Sequence, residues 1–104
     1  MRFLVKAKWD VDAGNALARK GELGSLVATI IDEQKPEAAY FIADGGCRTA
    51  LLVMDMENAS QIPAIAEPWF LAVNASIEFT PLMLLEDLQE AGPAIEQAVA
   101  KYGG

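Results

Sequence analysis

The sequence predicts a single α+β domain with the element order βαββαβ, followed by a helical extension. Strand-like apolar segments and segments with helical spacing alternate along the chain in that order. The pair Gly45-Gly46 separates two apolar runs, which is typical of a tight antiparallel hairpin because glycine adopts positive φ without steric cost. Right-handed crossovers then place both helices on one face of a four-stranded antiparallel sheet, with the first and third strands in its centre.

The first strand is predicted at residues 2–9. Apolar residues fall at every second position here, which is typical of a strand that packs one face on a core. We expect the core face to carry Phe3, Val5, Ala7 and Trp9, and the opposite face to carry Leu4, Lys6 and Lys8. The two lysines indicate that the opposite face is at least partly exposed to solvent or borders a polar cleft.

One helix is predicted from Ala13 to Gln34, where apolar residues recur with i, i+3, i+4 spacing. Asp12 is the expected N-cap, because its carboxylate can accept a hydrogen bond from the first turn. Gly21 and Gly24 weaken the middle of the helix and predict a bend there. Pro36 ends the helix, because the residue before a proline is driven out of the helical region.

A second helix is predicted after the hairpin, with Asn58 or Ser60 as its cap and its end near Glu67. Pro68 lacks a backbone N–H and is expected to end or kink that helix. Residues 68–71 would then cross the fold as an aromatic loop.

The last strand is predicted from Ala75 to about Leu84, and Pro81 marks it as an edge strand or a strand end. Residues 86–102 are polar and helix-prone. The pair Gly92-Pro93 divides them, because proline fits the first turn of a new helix.

Composition predicts one domain over residues 1–104, with 85–104 as its helical extension. The chain has 104 residues and a net charge of −7, a balance that repels phosphate groups, so neither nucleic acid nor an anionic membrane is an expected partner. It has no histidine, and Cys47 is its only cysteine, so an intrachain disulfide and a multi-cysteine zinc site are excluded. We expect neither a metal ion nor a cofactor.

The location expected from the sequence is the cytoplasm. The beginning, MRFLVKAKWD, has charges within its apolar run and is unlike a signal peptide. No apolar stretch reaches the roughly 18 residues that span a bilayer.

Three segments carry a family resemblance: MRFLVKAKW, GGCRTALLVMDMENASQIPAI and EPWFLAVNASIEFTPLM. Their order is that of the ferredoxin-like fold, and together they resemble the dimeric α+β barrel superfamily, more narrowly muconolactone-isomerase-like proteins and uncharacterised bacterial relatives. The resemblance covers most of residues 1–85 and concerns the fold, so no catalytic residue follows from it. It implies a homodimer or higher homo-oligomer, in which a second subunit covers the open face of the sheet.

The candidate pocket or interface residues are polar and aromatic side chains that the fold would bring to the open face or its rim. They are Lys6, Lys8, Tyr40, Arg48, Trp69, Glu78 and Thr80. The first and fourth strands are neighbours in this fold, so a cross-strand pair of Lys6 and Glu78 is expected. These groups could bind a small organic anion or shuttle a proton, or they could be interface ion pairs and solvated strand residues. Trp69 could line a pocket or fill the core.

Two hypotheses about function remain open. The first is a dimeric binding or structural module without catalysis. The second is a cofactor-free enzyme of the isomerase or monooxygenase type that acts on a small organic acid or aromatic compound inside the barrel. The second hypothesis predicts a closed pocket beside Lys6, Glu78 and Trp69.

Overall fold

A computed structural model describes all 104 residues of the protein and contains one four-stranded antiparallel sheet and five α-helices. The elements in chain order are β1 (Arg2–Lys8), α1 (Val11–Arg19), α2 (Leu23–Gln34), β2 (Ala38–Asp44), β3 (Cys47–Asp55), α3 (Ile62–Val73), β4 (Ser76–Pro81), α4 (Leu85–Glu90) and α5 (Gly92–Tyr102). The strand order is β2-β3-β1-β4, which is the ferredoxin-like arrangement. The prediction of an α+β fold with β1 and β3 at the centre is confirmed.

The hydrophobic core lies between one face of the sheet and helices α1, α2 and α3. The predicted core face of β1 is confirmed, since Val5, Ala7 and Trp9 are buried while their neighbours on the other face are half-exposed. The register pairs Val5 with Leu52 and Ala7 with Ala50, so alternate residues of β1 and β3 form one continuous apolar layer. The helices contribute further buried residues, namely Ile30, Ile65, Ala66, Trp69 and Val73.

The predicted single helix over 13–34 is two helices, which is a correction. The break lies at Gly21, whose φ of 72° is in the left-handed region and turns the chain between α1 and α2. The predicted cap is also wrong, because the backbone N–H of Ala13 donates to Oδ2 of Asp10 at 2.9 Å. Helix α1 therefore begins two residues early and includes Asp12 in its first turn.

Helix α3 continues through Pro68, so the predicted aromatic loop at 68–71 is wrong. Proline removes one backbone hydrogen bond, yet the residue that follows it is held firmly in the core. Trp69 is fully buried, stacks on Trp9 with ring centroids 5.9 Å apart, and donates its indole N–H to Oε1 of Gln34 at 3.2 Å. Burial of a large aromatic ring outweighs the local preference of proline. Asn58, one of the two predicted caps, accepts a hydrogen bond from the backbone N–H of Ser60 before the helix.

The hairpin is confirmed, and its turn residues Gly45 and Gly46 have φ of 58° and 81°. Strand β4 is shorter than predicted and ends at Pro81, although the backbone N–H of Leu82 still donates to the carbonyl oxygen of Arg2 at 2.9 Å.

The predicted helical extension is present as α4 and α5, and residues 85–104 are called the C-terminal arm below. None of its residues is buried. The chain has a radius of gyration of 17.7 Å and a longest dimension of 60 Å. A compact domain of this length has a radius of about 13 Å, so the arm stands off the domain. None of the five helices has the length and apolar content needed to cross a bilayer.

Candidate functional site

The face of the sheet that the helices leave uncovered is called the open face. Its larger side chains are Arg2, Leu4, Lys6 and Lys8 of β1, Tyr40, Ile42 and Asp44 of β2, Thr49, Leu51, Val53 and Asp55 of β3, and Glu78 and Thr80 of β4. Among them only Thr49 is buried, and Tyr40 is 62% exposed. The face mixes apolar and charged groups, unlike the core face of β1, which is apolar throughout.

The charged groups of the open face pair with one another. Lys6 forms an ion pair with Asp44 at the end of β2, reaching across β3. The hydrogen bond from Lys6 lowers the pKa of the Asp44 carboxyl, and the same bond raises the pKa of the Lys6 ammonium. The charge of Lys8 lowers the pKa of Asp44 further, so this carboxylate lies in the field of two lysines.

The predicted cross-strand placement of Lys6 beside Glu78 is confirmed, but the ion pair of Lys6 is with Asp44 and not with Glu78. The two residues are directly opposite in the β1–β4 register, and Glu78 only adds a weaker charge interaction that raises the pKa of Lys6. Sequence reasoning did not assign Asp44 to this group. The signal was present, since Asp44 follows Tyr40 and Ile42 at every second position and must share their face.

Arg48 lies elsewhere than predicted, which is a correction, and Trp69 fills the core, which is one of the two alternatives stated for it. Arg48 is on the helix-covered side of β3, because it shares that face with Ala50 and Leu52. Trp69 is enclosed in the core and reaches neither the open face nor any pocket. Lys6, Lys8, Tyr40, Glu78 and Thr80 are on the open face, as predicted.

Arg48 instead lies in the wall of the largest pocket, about 610 Å³ in volume. This hairpin pocket lies between the first turns of α2 and the β2–β3 hairpin, on the helix-covered side of the sheet. Its principal wall residues are Trp9, Leu23, Val27, Phe41, Ala43 and Arg48. The guanidinium is the only charged group in the wall, and it forms no ion pair with an acidic residue of the chain.

None of the three pockets is lined by Lys6, Glu78 or Trp69. The isolated chain therefore does not form the closed pocket that the catalytic hypothesis places there. No three acidic or cysteine side chains lie close enough together to hold a metal ion.

Comparison with models of known protein families finds no match to the chain, and comparison with curated proteins finds none either. The strand order and the helices on one face define the class, an α+β protein with a ferredoxin-like arrangement. Membership of the dimeric α+β barrel superfamily stays a prediction.

Proposed function

We propose that the protein is a homodimeric α+β barrel, in which the open faces of two copies pack together, and that it works as a binding or structural module without catalysis. The observation that supports the proposal is the uncovered apolar surface of the open face. Leu4, Leu51 and Val53 are only half-buried there, and Tyr40 and Ile42 are exposed. Contiguous apolar surface of this kind is typical of an interaction site.

The charges of the open face favour a second copy as the partner. The whole chain carries −7 and repels itself, but the open face carries three basic and three acidic side chains. They balance, and most already have partners: Arg2 lies 3.0 Å from Glu37, and Asp55 lies 2.9 Å from the N-terminal ammonium. Two such faces can approach without opposing net charge.

The C-terminal arm would add to the interface area that the sheet can bury in a dimer. Four strands of this length present a flat footprint of roughly 450 Å², whereas a stable dimer buries about 800 Å² on each partner. In α5, Ile95, Val99 and Tyr102 fall at i, i+4 and i+7, so they form one apolar stripe that is exposed in the single chain. We infer that this stripe packs on the second copy.

The ion pair of Lys6 with Asp44 favours a structural role over proton transfer, because each group already holds the other in its charged form. We propose further that the protein acts in the cytoplasm, because a free thiol such as that of Cys47 stays reduced there.

The substitutions Tyr40→Glu and Phe41→Glu form a matched test of the interface. The two aromatic residues are adjacent in β2 and exposed to 62% and 54%, but they lie on opposite faces of the sheet. We expect light scattering to give the wild type twice the chain mass of 11.2 kDa. Tyr40→Glu should give a monomer, because it adds an unpaired charge to the interface, whereas Phe41→Glu should remain dimeric.

A wild-type chain that stays monomeric at micromolar concentration would contradict the proposal. Dissociation caused by Phe41→Glu but not by Tyr40→Glu would place the interface on the other side of the sheet.

A further inference from the structure

We propose that the hairpin pocket is a binding site for an organic monocarboxylate with a flat apolar body. The pocket lies on the helix-covered side of the sheet, away from the open face, so the proposal is independent of dimerisation. Its volume of about 610 Å³ is in the range of small-molecule sites, and most of its wall is apolar. Phe41 contributes a ring that is half exposed at one side of the cleft.

Arg48 is the group that would hold the carboxylate. It is half-buried and forms no ion pair, in a chain with 15 acidic residues. Its planar fork can donate two parallel hydrogen bonds to one carboxylate. The ligand would supply the missing anion.

Gly14 keeps space for the Arg48 guanidinium. It is a buried residue inside α1, where glycine weakens a helix relative to alanine. A Cβ atom at this position would lie 2.8 Å from Nη1 of Arg48, which is shorter than the distance between a Cβ atom and a non-bonded atom in folded proteins. The absence of a side chain therefore lets the guanidinium lie against α1 beside the pocket.

Trp9 provides a second unused donor in the same wall. It is 6% exposed, and its buried indole Nε1 has no hydrogen-bond partner. Trp69, which stacks on it, is satisfied by Gln34. A buried donor without a partner is rare in folded proteins and calls for an explanation. The indole N–H has no exposed surface in the single chain, so a ligand acceptor would reach it only after the pocket wall moves.

Helix α2 adds a weaker attraction for negative charge. Its first turn, Leu23 and Gly24, forms part of the wall, and its N-cap residue Glu22 makes no side-chain cap hydrogen bond. The N–H groups of that turn therefore remain free, at the positive end of the helix dipole.

The charge balance limits the ligand to one negative charge. The wall has a single cation, and the protein as a whole carries −7. A phosphate dianion would leave charge uncompensated in a negative field, whereas a carboxylate matches one guanidinium. The apolar wall of Leu23, Val27 and Phe41 favours an aromatic or similarly flat body.

The test uses 2-naphthoate as the probe and its neutral amide, 2-naphthamide, as the matched control. Each is titrated into the full-length ¹⁵N-labelled protein, and the two indole N–H resonances are followed by NMR. We expect naphthoate to shift the Trp9 resonance while that of Trp69, already bonded to Gln34, stays in place. Naphthamide should bind about tenfold more weakly, because it lacks the charge that Arg48 pairs with.

Two variants and one control test whether Arg48 holds the carboxylate. Arg48→Gln should weaken naphthoate binding about tenfold and leave naphthamide binding unchanged. Gly14→Ala should weaken naphthoate binding severalfold, because the new methyl group displaces the guanidinium. Lys20→Gln removes the same charge from an exposed position outside the pocket and should have no effect.

A Trp9 resonance that does not move up to the solubility limit of naphthoate would overturn the proposal. Equal binding of naphthoate and naphthamide, or unchanged naphthoate binding in both Arg48→Gln and Gly14→Ala, would overturn it as well. The dispersion of the amide spectrum shows in each case that the variant is folded.

Discussion

The two faces of one sheet differ sharply, although alternate residues of the same strands build them. On the helix-covered face, Val5, Ala7, Ala50 and Leu52 have no exposed surface at all. On the open face, only Thr49 is buried. An antiparallel sheet can leave one face to water, but such a face is normally polar. The open face is polar only in part, because five apolar or aromatic side chains lie among its charged groups. The chain itself therefore covers one half of the sheet, while the other half still has exposed apolar surface.

The largest expected effect comes from the covered face. Trp69→Ala should lower the free energy of unfolding by about 3–5 kcal/mol, because it leaves a cavity beside Trp9 and removes the hydrogen bond to Gln34. Tyr40→Ala on the open face is the matched control. Urea unfolding is measured at several protein concentrations. Trp69→Ala should lower the free energy of unfolding at all of them, and Tyr40→Ala should lower it only at concentrations where dimers form. If both variants lost the same free energy of unfolding at every protein concentration, the two faces would not differ in the way described.

A smaller effect is expected from deletion of residues 85–104. The arm has no buried residue in the single chain, so the unfolding free energy of the monomer should change by less than about 0.5 kcal/mol. The proposed dimer should dissociate about tenfold more readily, because the deletion removes the apolar stripe of α5 that we infer to pack on the second copy. Sedimentation equilibrium measures the dissociation, and urea unfolding measures the monomer. A deletion that unfolds the monomer would show that the arm belongs to the core.

The smallest effect concerns the ion pair of the open face. Asp44 has a pKa below its ordinary 3.8, so the pair stabilises the fold fully above pH 3.8 and loses this contribution as the pH falls through the lowered pKa. Lys6 has a pKa above 10.5, so its contribution is complete below pH 10.5 and is lost as the pH rises through the raised pKa.

Asp44→Asn should therefore flatten the acid side of the curve of unfolding free energy against pH. The measurement is a set of urea midpoints from pH 2 to pH 6 for the wild type and the variant. The difference should be slight and should shrink in high salt, since both groups are near solvent. Identical curves would mean that the ion pair contributes nothing to the stability of the chain.

The sequence was sufficient for the class of fold and for the core face of β1, because period-two alternation is a local property. It was insufficient where tertiary packing overrides a local preference. Pro68 stays inside α3 because Trp69 is anchored in the core, and Gly21 divides a helix whose apolar spacing continues on both sides. In both places the outcome depends on what the helix packs against, which the local sequence does not specify.

The candidate site was predicted in part for a similar reason. Both faces of β3 are apolar, so its sequence does not say which set faces the helices, the one with Arg48, Ala50 and Leu52 or the one with Leu51 and Val53. That choice depends on the register between β1 and β3, which joins residues about fifty positions apart. The hairpin pocket likewise depends on where α2 lies over the hairpin, which no local pattern specifies.

The two edges of the sheet differ in how well they resist the addition of another strand. Strand β4 has Glu78 on its open face and ends in Pro81, and charge and proline both hinder pairing with a foreign strand. Strand β2 has neither charge nor proline from Ala38 to Ala43, and its aromatic residues are exposed on both faces. Intermolecular β-pairing, and with it fibril growth, would therefore begin at β2 when the chain is concentrated.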